Sequence, residues 1–302
     1  MNRRDFSRNL ALAALGSGTL SARATNAESF SNGGQQSQSG GAPFKISLML
    51  WTVFNKMPFE QRLEKAAEAG YHNVELVGEF EKWSDTDYEN VARKRRELAI
   101  QFDATGGLRR SLTDPAQRDA FLAEVKAILP AMDKLECPAL IVLTGNKVAG
   151  MSYEAQHASC VEGLKQAADI VEPKGCKILL ENIDPEENPK YFLTSVAEGF
   201  DVIREVNHPH VRFLYDFFHE QISEGNLIEK LEKNIALVDL VHIADVPGRH
   251  EPGTGEINYT NIYKKLAELR YDRYMAMEFL PTGDEVTSLR TAREAAEAAA
   301  RA

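Results

Sequence analysis

From residue 44 to the end of the chain, short apolar runs alternate with longer segments whose apolar residues recur every three or four positions. The runs fall at 45–51, 73–77, 100–104, 138–143, 177–182, 211–216, 239–243 and 274–279, and each reads as a strand. They are continuous rather than alternating, the pattern of parallel strands buried on both faces. Helical periodicity fills the intervals near 59–69, 86–99, 114–135, 152–172, 194–205, 227–237, 258–269 and 285–302. Gly70 stops the first helix, and Asp114, Ser152 and Asn258 or Thr260 are the expected N-caps. Eight strand–helix units over about 255 residues predict a single-domain (β/α)8 TIM barrel spanning 44–302. A doubly wound sheet would want a Gly-rich first turn, and the stretch from Trp51 to Pro58 is not one.

The first 43 residues break this pattern. Arg3-Arg4 precedes a short apolar run from Leu10 to Leu15, and Ala22-Arg23-Ala24 and Thr25-Asn26-Ala27 offer small-residue cleavage sites. Residues 1–27 are therefore expected to be a twin-arginine-type signal peptide that directs the folded protein to the periplasm. The apolar run is too short and too interrupted by Gly to span a bilayer. Residues 28–43, rich in Ser, Gly and Gln, read as a flexible linker.

Composition narrows the function classes. The chain is 43% hydrophobic and 26% charged, ordinary for a globular protein. Its net charge of -10 disfavours nucleic acid and anionic membranes as partners. Cys137, Cys160 and Cys176 are odd in number and lack CxxC spacing, so buried free thiols are expected rather than a disulfide framework. Neither a Ser nucleophile elbow nor a phosphate-cradling Gly loop is present.

The chemistry-bearing residues gather at strand ends. Strand five ends in Glu181-Asn182, six in Tyr215-Asp216 and eight in Met277-Glu278, while strand seven carries His242. A parallel barrel rings all its carboxyl ends around one mouth, so these residues converge. Three carboxylates and an imidazole suit one divalent cation such as Mn²⁺, Mg²⁺ or Co²⁺, and unpaired buried acids would be costly without it. After strand seven the chain enters a loop, 244–258, holding two Pro, three Gly and the ionisable residues Asp245, Arg249, His250, Glu251 and Glu256. Glu75 on strand two reads either as a barrel-core ion pair or as a mouth residue, and Trp51 either as a stacking group or as a plug. His72, His157, His208 and His210 read as surface histidines.

Glu181-Asn182-Ile183-Asp184-Pro185, Tyr215-Asp216-Phe217-Phe218-His219-Glu220-Gln221 and the loop 242–258 resemble the hydroxypyruvate isomerase family of xylose-isomerase-like TIM barrels. The resemblance covers about 44–283. It implies that Glu181, Asp216, His242 and Glu278 hold the metal and that Glu181 and Glu278 are also the acid/base pair. It implies that His219 and Arg249 contact substrate, with Glu256 organising the site from behind. Arg249 could instead staple the loop to Asp245 or Glu251. The implied reaction moves a proton next to a carbonyl through an enediolate, as in the conversion of hydroxypyruvate to tartronate semialdehyde. The substrate would be a small hydroxyketone, hydroxy-keto acid or keto-sugar, and a homo-oligomer is compatible with the resemblance. One departure stands out: many members carry Gln where this chain has His242, whereas ketose epimerases carry His. Keto-sugar epimerisation, keto-glycoside lysis or hydrolysis, and non-catalytic sugar binding are the alternative functions.

Overall fold

The computed structural model describes residues 42–302, so the expected signal peptide and all but the last two residues of the expected linker lie outside the described residues. Eight strands form one closed barrel: β1 (Lys45–Met49), β2 (Asn73–Val77), β3 (Gln101–Gly106), β4 (Ala139–Leu143), β5 (Lys177–Glu181), β6 (Val211–Asp216), β7 (Val238–Ile243) and β8 (Tyr274–Met277). Each pairs in parallel with the next, and β1 closes on β8 with Lys45 opposite Tyr274 and Leu48 opposite Met277. The expected architecture is the observed one.

Helices follow the strands on the outside: α1 (Phe59–Glu68), α2 (Asp85–Glu97), α3 (Arg118–Leu135), α4 (Tyr153–Val171), α5 (Val196–Val206), α6 (Phe217–Ser223), α7 (Leu227–Asn234), α8 (Tyr259–Glu268) and α9 (Glu285–Ala300). Side-chain oxygens of Ser84, Ser152, Ser195, Asn258 and Asp284 accept the orphan backbone N–H groups that open five of them. Three expectations shift. The first strand ends at Met49, where the chain tightens into a 3-10 turn over Leu50–Thr52 that carries Trp51 to the barrel mouth. Asp114 caps a separate 3-10 turn, Pro115–Gln117, rather than α3 itself. Strand eight ends at Met277, so Glu278 stands just beyond it.

Side-chain alternation separates two cores. Met49, Ala104, Ala139, Ile141, Leu179, Leu214, Leu240 and Ala276 fill the barrel interior. Their neighbours Leu48, Leu140, Ile178, Phe213, Val241 and Met275 face outward against Leu63, Phe121, Leu164, Phe200 and Leu266 on the helices. A fully buried Leu or Phe contributes about 1.5–3 kcal/mol by leaving water, so this outer layer supplies most of the apolar stabilisation. The three cysteines are buried and free, as the sequence implies. No helix among the described residues is long and apolar enough to cross a membrane.

Gly199 of α5 lies directly against β6. A Cβ there would lie 2.2 Å from the Phe213 ring of β6. Gly199→Ala should therefore lower the unfolding free energy by about 1–3 kcal/mol through overpacking, although alanine is the better helix former. Urea denaturation of the two proteins measures this.

Candidate active site

Each strand delivers its mouth residue by the same device, a buried interior side chain followed two positions later by a polar one. Leu179 precedes Glu181, Leu214 precedes Asp216, Leu240 precedes His242 and Ala276 precedes Glu278. All four polar residues are buried, and each offers a ligand atom within 4.8 Å of the others'. The sequence-predicted set is brought together as a whole.

Asp216 shows how local structure shares one side chain between two tasks. It is the last residue of β6 and the N-cap of α6, a helix that the sequence pattern did not reveal. Its Oδ1 accepts from the His219 backbone N–H at 3.0 Å. Its Oδ2 points into the cluster without a hydrogen-bond partner, and His242 Nδ1 and Glu278 Oε2 face the same point. Nδ1 of His242 lies 2.8 Å from Glu278 Oε2, 3.5 Å from Glu181 Oε1 and 3.8 Å from Asp216 Oδ2. Orphaned buried atoms of this kind carry a desolvation cost unless something sits between them. A ring nitrogen and three carboxylate oxygens converging on one point are the donor set of a divalent cation, and the residues fit that group.

The other ring nitrogen of His242 is accounted for. Nε2 lies 2.9 Å from Glu75 Oε2 inside the barrel, so Glu75 is the core ion-pair partner rather than a mouth residue. With the ring hydrogen on Nε2, Nδ1 presents its lone pair to the cluster, the usual arrangement of a carboxylate-backed metal-binding histidine. Burial disfavours the imidazolium, yet Glu278 and Glu75 outweigh it and hold the His242 pKa well above its ordinary value. Burial raises the Glu181 carboxyl. It would raise Glu278 too, but Arg249 and His242 hold that carboxyl far below the usual carboxylate range.

Arg249 is buried against the cluster. Its guanidinium lies 2.8 Å from Glu278 Oε2, 3.7 Å from Asp216 Oδ2 and 3.0 Å from Glu187 Oε1. It also sits over the rings of Phe218 and Trp51, with centroids at 4.9 and 5.4 Å. The loop-stapling alternative is not what forms, because Asp245 and Glu251 are engaged elsewhere. Trp51 Nε1 donates to Glu278 Oε1 at 2.6 Å, so the indole neither plugs the barrel nor stands free. His219 is buried between two acids, with Nδ1 2.6 Å from Asp184 Oδ2 and Nε2 3.6 Å from Asp216 Oδ2. Burial opposes its charge, but Asp216 and Asp184 raise its pKa to about 9.

Glu256 requires a correction. It is exposed and accepts from Gln221 Nε2 at 3.0 Å, remote from the ligand contacts. The organiser of the loop is Asp245, which is fully buried. Its two oxygens accept backbone N–H groups of Val246, Gly253, Gly255 and Ile257 at 2.8–3.0 Å. Gly255 is required there because a Cβ would stand 2.0 Å from the Val246 carbonyl oxygen. The loop so folded carries Arg249 back over the mouth. Asp184, Glu187 and Trp51 also belong to the site, although the sequence marked no role for the first two.

A closed parallel barrel with a buried Glu/Asp/His cluster at its carboxyl end, able to hold a metal ion, defines a TIM-barrel enzyme fold and its mouth. The sequence pattern described as Xylose isomerase-like TIM barrel matches residues 63–301, and the chain belongs to that family. It is 31% identical to the 2-oxo-tetronate isomerase of Haemophilus influenzae, over 81% of this chain and 96% of that one. It is 28% identical to the hydroxypyruvate isomerase of Escherichia coli, over 82% and 97% of the two chains. The crystal structure of an AP endonuclease, family 2, from Brucella melitensis superposes with a TM-score of 0.74 at 28% identity, covering 82% of this chain and 96% of that one. By these curated relatives the chain is an enzyme of the isomerase class.

Asp245→Asn replaces an acceptor of four backbone N–H groups by one that must turn an amide donor toward some of them. The unfolding free energy should fall by roughly 2–3 kcal/mol, the worth of a buried charge-assisted network. Proteolysis within 246–256 should accelerate at the same time, which limited trypsin digestion at Arg249 would read.

Proposed function

We propose that the protein is a metal-dependent isomerase that moves a proton between the two carbons of an α-hydroxycarbonyl compound. The observation that carries this reading is the pair Glu181 and Glu278, both facing one point that also fits a cation. A binding protein has no need of two carboxylates so placed. The reaction class is the one that the relatives' names print, and hydroxypyruvate and 2-oxo-tetronate are the natural first substrates to test.

The two glutamates are not equivalent. Glu278 is held by Trp51 on one oxygen and by Arg249 on the other. Glu181 has a single ion-pair contact among the described residues, His242 Nδ1 at 3.5 Å. A carboxylate so lightly held, and pushed up by burial, is the better base. Glu181 therefore takes the α-proton, and Glu278 fixes the geometry and returns or shares it at the neighbouring carbon. A bound divalent cation would supply the positive charge that polarises the carbonyl. His219, charged between Asp184 and Asp216, offers a donor toward the substrate's hydroxyl side. Arg249 acts on the substrate through Glu278, since its guanidinium is already committed to carboxylates of the protein.

Proton exchange in deuterated water tests the assignment. With Mn²⁺ saturating, Glu181→Gln should lose roughly 10²–10⁴-fold in exchange of the substrate α-proton, the usual worth of a positioned base. Glu278→Gln should lose activity together with metal affinity. Wild-type exchange rates in both fully loaded variants would reject the acid/base roles.

We further propose that residues 1–27 export the folded enzyme, which rests on Arg3-Arg4, the apolar run and the small-residue sites. Amino-terminal sequencing of periplasmic material should begin between about Thr25 and Glu28. Arg3→Lys with Arg4→Lys should leave full-length protein in the cytoplasm.

A further inference from the structure

The amino-terminal end of the barrel carries the charge opposite to that of the mouth. Lys45 opens β1, Lys177 opens β5, Arg212 is the second residue of β6 and Arg273 immediately precedes β8. The acids on this rim are Asp239, the second residue of β7, and Asp272. Lys177, Arg212 and Arg273 all converge on the one carboxylate of Asp239. Asp272 is exposed and stands 3.9 Å from Arg273 Nε. Lys45 has no carboxylate partner among the described residues and lies over the Tyr274 ring, 4.9 Å from its centroid. Four cations thus face two acids on this rim, in a chain whose net charge is -10. The crowding is felt by the cations themselves: burial, with Arg273 and Arg212, lowers the Lys177 pKa, and burial with Arg212 lowers that of Arg273.

The rim surrounds an opening into the barrel. A cavity of about 350 Å³ passes Lys45, Lys177 and Arg273 and reaches the interior residues Ala104, Ala139, Leu179 and Leu240. Side-chain size explains it. Barrels of this kind fill their interior layers with bulky branched residues, and here β3 and β4 contribute alanines. Open apolar volume forfeits the contacts that close packing would give, so the base is not built for rigidity alone. One further acid lines the pit, Asp103, which is buried with Oδ1 accepting from Ser47 Oγ at 2.7 Å. Burial and Glu75 raise its carboxyl well above the ordinary range, toward the uncharged acid. A pit with an apolar floor and a cationic rim receives a carbon chain within and an acid group outside. No residue of the acidic cluster at the mouth lines it.

We propose that the amino-terminal end of the barrel is a second binding site, for a small organic anion. Its acid group lies among Lys45, Lys177 and Arg273, and its short carbon chain enters the barrel base against Ala104 and Ala139. The site stands at the opposite end of the barrel from the acidic cluster and owes nothing to the isomerase reading.

Titration calorimetry of the full chain with hexanoate tests it, beside hexan-1-ol, which lacks the charge, and hexylamine, which reverses it. Hexanoate should saturate one site and bind roughly tenfold or more tightly than either control, because the rim attracts one sign of charge and repels the other. Lys45→Glu, at an exposed position outside the core, should weaken hexanoate by a similar factor. Ala139→Leu fills the pit and should weaken it as well, and if that variant fails to fold the Lys45→Glu comparison still decides. Loading the mouth with Mn²⁺ should leave the hexanoate isotherm unchanged. Absence of saturable binding, equal affinity for hexanoate and hexan-1-ol, or equal affinity in the wild type and Lys45→Glu would overturn the proposal. So would binding that appears only with Mn²⁺, since the anion would then sit at the mouth.

Discussion

Three buried carboxylates, Glu181, Asp216 and Glu278, place oxygens within 4.8 Å of one another, and the mouth is arranged around their mutual repulsion. At an effective dielectric constant of about 20, two like charges about 4 Å apart cost about 4 kcal/mol. Three such pairs cannot be left uncompensated in a fold whose net stability is about 5–15 kcal/mol. Arg249 supplies one positive charge. Even with His242 and His219 also charged, the acids outnumber the bases, because Glu75, Asp184 and Glu187 stand beside the three carboxylates. The imbalance is the one that a cation would offset.

Compensation depends on elements far from the strand ends. Arg249 stands on a loop that would otherwise stay in solvent, and it reaches the centre only because Asp245 gathers four backbone N–H groups of that loop around one buried carboxylate. The Leu280 backbone N–H then closes on the Arg249 carbonyl oxygen at 2.6 Å. Glu187, from the loop after β5, takes the outer edge of the guanidinium. Thus the loops after β5, β7 and β8 are tied together through one arginine. Displacing any of the three would loosen Arg249 from Glu278, whose carboxyl Arg249 and His242 together hold low.

The barrel was legible because continuous apolar runs and helical periods repeat eight times, and a closed sheet is the arrangement that buries such runs on both faces. The four clustered residues were legible because each stands at or near the end of such a run, where an ionisable group has no reason to be unless the mouth uses it. What failed to show was whatever depends on loop geometry. Glu256 and Asp245 lie eleven residues apart in one polar stretch, and nothing in composition says which turns inward. Glu187 looks like any solvated acid until Arg249 is folded over it. The short helix α6 was hidden because Asp216 ends a strand and caps a helix with no turn residue between them. Trp51 was ambiguous because its environment is created by a 3-10 turn rather than by strand alternation.

His242 lies on β7 with both ring nitrogens engaged, and the structure supplies a physical reason for a histidine there. Glu75 is fully buried within the barrel, and its hydrogen-bonding partner in the cluster is the His242 imidazole. An imidazole satisfies both sides at once, donating from Nε2 to the carboxylate below and directing Nδ1 to the centre above. A glutamine amide would offer its nitrogen to one side and its oxygen to the other, with less basicity toward a cation and without the charge that Glu75 can draw upon. Glu75 and His242 therefore form a matched pair across the barrel, and replacing His242 alone takes from the buried Glu75 its imidazole partner. The side chain that β7 presents to the cluster is in this way matched to a carboxylate on β2, a residue that never reaches the mouth.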